Sequence, residues 1–204
     1  MPIAQPSLAS CSRSLKLLFL TALVSLPICS CTISPDLQTR FGLRGSFAVA
    51  SDYESQTSSG GQSSTSDIDY TNVEAGLVFS SWQDGRKLSS GAIQVGRTEL
   101  EDLDAIELTS GGRFYLPLDG LVRPFVGLEG TTFFTDDVAG FDVGDGFGLR
   151  LGGGIEIPLG ETDVYIDLRV DYLVPLIEAE SNTFPTIDTE LEGLALRLGI
   201  GIDF

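Results

Sequence analysis

From residue 40 to the end of the chain, apolar side chains recur at every second position, the period of a strand whose two faces meet different surroundings. Eight such stretches follow one another. The first carries Phe41, Leu43, Phe47 and Val49, the second Val73, Ala75, Leu77 and Phe79, and the third, the weakest, only Ile93 and Val95. The fourth holds Ile106, Leu108, Phe114 and Leu116, and the fifth Val122, Pro124, Val126 and Leu128. Phe147, Leu149, Leu151, Ile155 and Ile157 mark the sixth, and Val164, Ile166, Leu168, Val170 and Tyr172 the seventh. The eighth runs through Leu194, Leu196, Leu198, Ile200 and Ile202 to Phe204. Connections at about 80–87, 117–120 and 158–163 are short, and two of them hold the turn signals Asp84-Gly85 and Asp119-Gly120. Of the other four, 99–104 is short, whereas 51–66, 135–145 and 175–189 are long, and the first of these, rich in Ser and Gly, is expected to be mobile. Short turns at one end and mostly longer loops at the other predict an all-β, eight-stranded, antiparallel up-and-down transmembrane β-barrel.

The positions between the apolar ones decide which face points inward. They hold Arg44, Glu74, Glu107, Arg113, Arg123, Glu129, Arg150, Glu156, Asp167, Arg169, Asp171, Arg197 and Asp203, that is six arginines and seven carboxylates, with none from the third strand. Gly76, Gly111, Gly127, Gly148, Gly152, Gly154, Gly199 and Gly201 share this face. A soluble lipocalin-like ligand-binding barrel would turn the charges to water and the apolar residues inward. Against that, the cations here are all arginine, whose planar guanidinium suits enclosed pairing with carboxylates, while Lys87 is placed in a turn. The glycines also make sense where space is short, as inside an eight-stranded barrel. The charged face is therefore expected inside, as a network filling the lumen. A narrow ion-conducting barrel is the alternative for the same residues. Arg97 breaks the pattern by sharing parity with Ile93 and Val95, which places it at the outer interface or after a bulge.

The closing segment Leu194-Ala-Leu-Arg-Leu-Gly-Ile-Gly-Ile-Asp-Phe204 resembles the last strand of bacterial outer-membrane proteins. Arg123-Pro-Phe-Val-Gly-Leu-Glu129 and Tyr165-Ile-Asp-Leu-Arg-Val-Asp-Tyr172 resemble strands of the OmpA-type and opacity-protein β-barrels. The resemblance covers roughly residues 40–204 and implies location in the bacterial outer membrane. It also implies that Phe204 is part of the signal read by the barrel assembly machinery. No periplasmic peptidoglycan-binding domain accompanies these strands, so anchoring to the cell wall is not implied.

The N-terminus has the pattern of a targeting segment. Arg13 and Lys16 precede an apolar run over 17–28 that is too short to span a membrane as a helix. Residues 1–31 are expected to be a signal peptide, 32–39 a short linker and 40–204 the barrel. Ile28-Cys29-Ser30-Cys31 resembles a lipoprotein box with Cys31 as the lipidated residue, although Cys29 is atypical of it. Ordinary signal-peptidase cleavage near Ser30 or Cys31 is the other reading. All three cysteines lie in the first 31 residues, so no disulfide framework is expected in the barrel.

Composition then removes function classes. A net charge of −17 argues against a nucleic-acid partner. The chain has no histidine, so the usual general base and the commonest metal ligand are missing. Hydrolases and acyltransferases in small membrane barrels use histidine to activate serine or water, and no enzyme activity, cofactor or metal is expected here. The long-loop side is acidic, with Asp52, Glu54, Asp67, Asp69, Glu99 and Glu192 among its carboxylates. It can bridge to lipopolysaccharide through divalent cations or serve as a solvated rim. Asp142-Val-Gly-Asp145-Gly has the look of a calcium loop without EF-hand spacing. Trp82 and Phe79 near one end, and Phe133, Phe134 and Tyr172 toward the other, are read as interfacial belts. The expected role is non-enzymatic, structural or interaction-based at the cell surface, as a monomer.

Overall fold

The computed structural model describes residues 36–59, 62–100, 103–118, 120–135, 146–177, 179–180 and 188–204. The proposed signal peptide, Cys31 and the Asp142–Asp145 segment lie outside them. The described chain is all strand and turn. The strands are β1 Gln38–Ser59, β2 Gln62–Ile68, β3 Tyr70–Gln83, β4 Arg86–Leu100 and β5 Leu103–Tyr115. They continue with β6 Arg123–Thr135, β7 Gly146–Pro158, β8 Val164–Ile177, β9 Ala179–Glu180 and β10 Asp188–Asp203. All pairings are antiparallel in the order β2-β1-β3-β4-β5-β6-β7-β8-β10-β9, and β1 pairs with β10 to close the ring. β2 leads into β3 past Asp69, and β9 follows β8, so the ten segments form eight staves. Phe41 and Phe204 exchange both backbone hydrogen bonds at the seam, at 3.1 and 2.6 Å.

The barrel is inverted relative to a soluble one. Phe41, Leu43, Phe47, Val73, Leu77, Ile93, Val95, Ile106, Phe114, Val126 and Ile200 are each about half exposed or more on the outer face. Arginines and carboxylates of the alternate positions are buried inside. The soluble lipocalin-like alternative required the opposite arrangement and is overturned, because each strand's pleat sends its apolar set outward.

Three single-residue irregularities interrupt the alternation. In β1, Ala48 pairs with Arg197 and Ala50 with Leu196, leaving Val49 unpaired. In β4, Ser81 pairs with Ser89 and Trp82 with Lys87, leaving Leu88 unpaired. Across β7 and β8, Phe147 pairs with Ile177 and Gly148 with Pro175, leaving Leu176 unpaired. Such a bulge shifts the parity of everything beyond it. It turns Tyr53 and Lys87 inward although they share odd numbering with the outward residues of their strands.

Several expectations are corrected here. The region 51–66 was expected as a mobile loop, but its described residues are strand, with β1 and β2 paired antiparallel from Tyr53 with Ile68 onward. Ser59 pairs with Gln62 at its described end. Trp82 and Phe133 were expected in lipid-facing belts. Both are buried, at 5% and 8% exposure, because they lie on the inward side of β3 and β6. Tyr172 and Phe79 do face out, and Phe79 packs edge-on against Phe41 with ring centroids 5.3 Å apart. Arg97 also faces out, paired in register with Val73 and Ile106, and its strand's bulge lies at the other end.

Candidate functional site

The interior is built in three layers. At the long-loop end, Tyr53, Tyr70, Phe133, Leu173 and Ala195 form an apolar cluster. Tyr53 and Tyr70 stack with centroids 4.3 Å apart. The middle layer is ionic. The layer at the short-turn end is aromatic and ionic together, with Trp82, Tyr115 and Tyr165 around Lys87 and Phe125 packed on Tyr115.

The middle layer is a mesh rather than a set of pairs. Glu129 on β6 lies 2.6 Å from Arg169 on β8, 3.4 Å from Arg44 on β1 and 3.9 Å from Arg113 on β5. Glu74 on β3 lies 3.0 Å from Arg169, 3.6 Å from Arg150 and 3.6 Å from Arg197, and accepts a 2.6 Å hydrogen bond from Ser46. The Nε atoms of Arg169 and Arg197 approach one oxygen of Asp171 at 3.0 and 3.1 Å, ionic contacts without hydrogen-bond alignment. Arg113 pairs with Asp167, and Arg44 donates to Gln94. Toward the apolar cluster, Glu107 pairs with Arg150. It also accepts from Thr98 at 2.7 Å, Asn72 at 2.9 Å and Thr131 at 2.8 Å. Hydroxyls and an amide from three strands thus satisfy a carboxylate that burial would otherwise penalise.

The layer at the short-turn end centres on Lys87. Its ammonium lies 3.1 Å from Glu156 and 2.9 Å from Asp203. It also sits 4.4 Å from the Tyr165 ring centroid and 5.2 Å from that of Tyr115. Tyr115 donates to Glu156 at 2.8 Å, and Arg123 does so at 3.0 Å. Trp82 seals the mouth: its indole donates to Ser80 at 2.9 Å, and Arg40 and Arg123 lie 4.5 and 4.7 Å from its ring centroid. Arg40 also reaches Asp163 at 3.1 Å, near the surface.

Of the thirteen charged residues expected on this face, the structure buries twelve, and Arg123 stands at the mouth with its side chain 29% exposed. Two parts of the expectation are corrected. The cations are not all arginine, since Lys87 is inside at 4% exposure, placed there by the bulge at Leu88. The third stave is not empty either, because β4 contributes Lys87, Ser90, Gln94 and Thr98. With Lys87, the described interior holds seven cations and seven carboxylates, where the six expected arginines left one carboxylate over. A search for the missing compensating charge could have found Lys87, the one lysine after the targeting segment.

Space inside is scarce. A cavity of about 10 Å³ lined by Arg113, Glu129, Arg150, Arg169 and Asp171 is room for one water. A second, of about 80 Å³, opens at the mouth beside Arg40, Trp82 and Arg123. The inward glycines create the room the long side chains occupy: a Cβ on Gly201 would meet the Tyr165 ring, and one on Gly111 would meet the β6 backbone at Leu128. Among the described residues no cluster of three or more carboxylates or thiols could hold a metal ion. The described rim carboxylates Asp52, Glu54, Asp67, Asp69, Glu99 and Glu192 are exposed. The remaining loop carboxylates lie outside the described side chains.

No family model matches the chain, and no curated protein matches it. Solved structures do. The solid-state NMR structure of the outer-membrane protein AlkL in DMPC bilayers matches with a TM-score of 0.56 at 14% identity, over 85% of this chain and 94% of that one. The outer-membrane protein OprG from Pseudomonas aeruginosa matches with a TM-score of 0.53 at 20% identity, over 81% and 95%. Neisserial surface protein A matches with a TM-score of 0.50 at 15% identity, over 80% and 97%. The chain therefore has the fold of the small eight-stranded outer-membrane barrels, consistent with the OmpA-type and opacity-protein resemblance of its strands.

Proposed function

We propose that the protein is a bacterial outer-membrane β-barrel of structural or cell-surface interaction role, without enzymatic activity, whose lumen is plugged by its own ion pairs. The observation that carries this reading is the outer face. Apolar side chains stand about half exposed around the barrel, far more contiguous apolar surface than a water-soluble monomer shows. Staves of 13 or more residues are long enough to cross the hydrocarbon core at the usual tilt of about 45°. Closure leaves no unpaired strand edge in lipid. The short turns and both described chain ends would then face the periplasm, with Phe204 available to the barrel assembly machinery.

The plug reading rests on the charge-balanced interior and on a central cavity no larger than a water. Each carboxylate there is held by cations from other strands, the arrangement expected of a plug. Discrete conductance in planar-bilayer recordings would overturn the plug in favour of the narrow ion-conducting barrel. The membrane reading is tested by fractionation: the protein should appear in outer-membrane fractions and migrate differently on gels when boiled. A protein that stays soluble without detergent and shows no such shift would refute it. The acidic rim is proposed to contact lipopolysaccharide through divalent cations, and Cys31 to carry an acyl chain if the lipoprotein box is used. Mass measurement of the mature N-terminus decides the latter.

A further inference from the structure

The three turns at the closed end of the barrel are unequal. The β3–β4 turn is Asp84-Gly85, and the last two outward pairs above it, Ser81 with Ser89 and Gln83 with Arg86, are polar. Apolar surface therefore stops short of that turn. Beneath β5 and β6 it does not stop. Phe114 pairs with Val126 on the outer face, and Leu116, Val122, Leu118 and Leu121 carry the apolar surface on through the turn. Leu118 is 63% exposed and Leu121 88%, the largest exposure of any large apolar side chain described. The Leu116 amide is bonded to the Pro124 carbonyl and the Leu118 amide to the Leu116 carbonyl, each at 2.8 Å, so the strand ends fix where Leu118 leaves the barrel.

Leaving two leucines in water forgoes the free energy that burial of apolar surface would return. Because the patch is continuous with the outer apolar face, whatever covers that face covers the turn as well. We propose that the β5–β6 turn is a lipid-binding element that seats Leu118 and Leu121 among the phospholipid acyl chains of the periplasmic leaflet. This rests on the membrane reading above. The apolar height of the barrel is then greater on the β5–β6 side than on the β3–β4 side, and the mismatch is met by tilt or local thickening of the bilayer.

Tryptophan quenching by chain-brominated phosphatidylcholine tests this. The native chain has one tryptophan, Trp82, which is buried inside the barrel and gives a protected background. The full chain is refolded into vesicles with Leu121→Trp, with Leu77→Trp at mid-height on the outer face, or with Glu161→Trp in the exposed β7–β8 turn. The added emission of L121W should fall about twofold or more in brominated vesicles, as for a side chain below the headgroups. L77W should behave likewise and E161W should not. If L77W is quenched but L121W matches an unquenched E161W, the turn proposal is overturned and the membrane reading stands. If neither L77W nor L121W is quenched, the membrane reading falls and the proposal with it. Equal quenching of E161W and L121W also overturns it, since lipid contact would then not belong to this turn.

Discussion

The middle of the lumen and its short-turn end handle the same problem, buried charge, with different chemistry. In the middle, Glu74 and Glu129 each face three guanidiniums from different strands. A planar guanidinium can bridge two carboxylates, as Arg169 does between Glu74 and Glu129, so arginines knit strands into a mesh. At the short-turn end, three carboxylate oxygens of Glu156 and Asp203 converge on one point within a ring of aromatic side chains. A compact ammonium with three donors matches that point, and a wide planar group does not. The two layers teach that the identity of a buried cation follows the shape its acceptors leave.

Breaking the mesh should have the largest effect. Glu74→Ala leaves one uncompensated buried positive charge shared among Arg150, Arg169 and Arg197 and should cost about 3–5 kcal/mol. Glu161→Ala, in an exposed turn, should leave stability nearly unchanged. Urea unfolding in lipid vesicles, read by the gel shift, measures both, and equal midpoints would show that Glu74 is not a hub. Next comes the shape argument itself. Lys87→Arg keeps the charge but must fit a larger planar group between Tyr115 and Tyr165, at a cost of about 1–3 kcal/mol. An unchanged midpoint would mean that charge alone matters there. Gly201→Ala pushes a methyl group into the Tyr165 ring and should cost about 1–2 kcal/mol through the same cage. Full stability of this variant would show the ring free to move. Apart from the Glu161→Ala control, the smallest effect is expected from Arg40→Ala, whose pair with Asp163 is partly exposed and worth about 0.2–1 kcal/mol.

The sequence alone carried the inward set well wherever the alternation ran unbroken, because a strand's pleat fixes the face of every second residue. Arg150, Gly152, Gly154 and Glu156 on β7 could be read directly. What stayed hidden lies beyond single inserted residues. The bulges at Val49 and Leu88 leave no mark in a period-two pattern, yet they decide the face of Tyr53 and Lys87. The third stave was faint for a different reason. Its inward residues Ser90, Gln94 and Thr98 are polar but uncharged, and Ser89, Gly91 and Arg97 dilute its outward signal. The partner choices inside the mesh were also illegible, since they depend on how the ring closes.

That closure has a kinetic side. Arg197 lies on the final strand and donates to Asn72 and Tyr70, 125 and 127 residues earlier in the chain. It also supplies one of the two guanidiniums beside Asp171 and one of the three beside Glu74. Until β10 docks on β1, those carboxylates lack part of their compensation and the outer face has no complete ring to present. Contacts of such sequence separation form slowly, because the loop entropy must be overcome before they contribute. The last sixteen-residue strand therefore acts as a latch, and partly built barrels should be short-lived rather than stable halves.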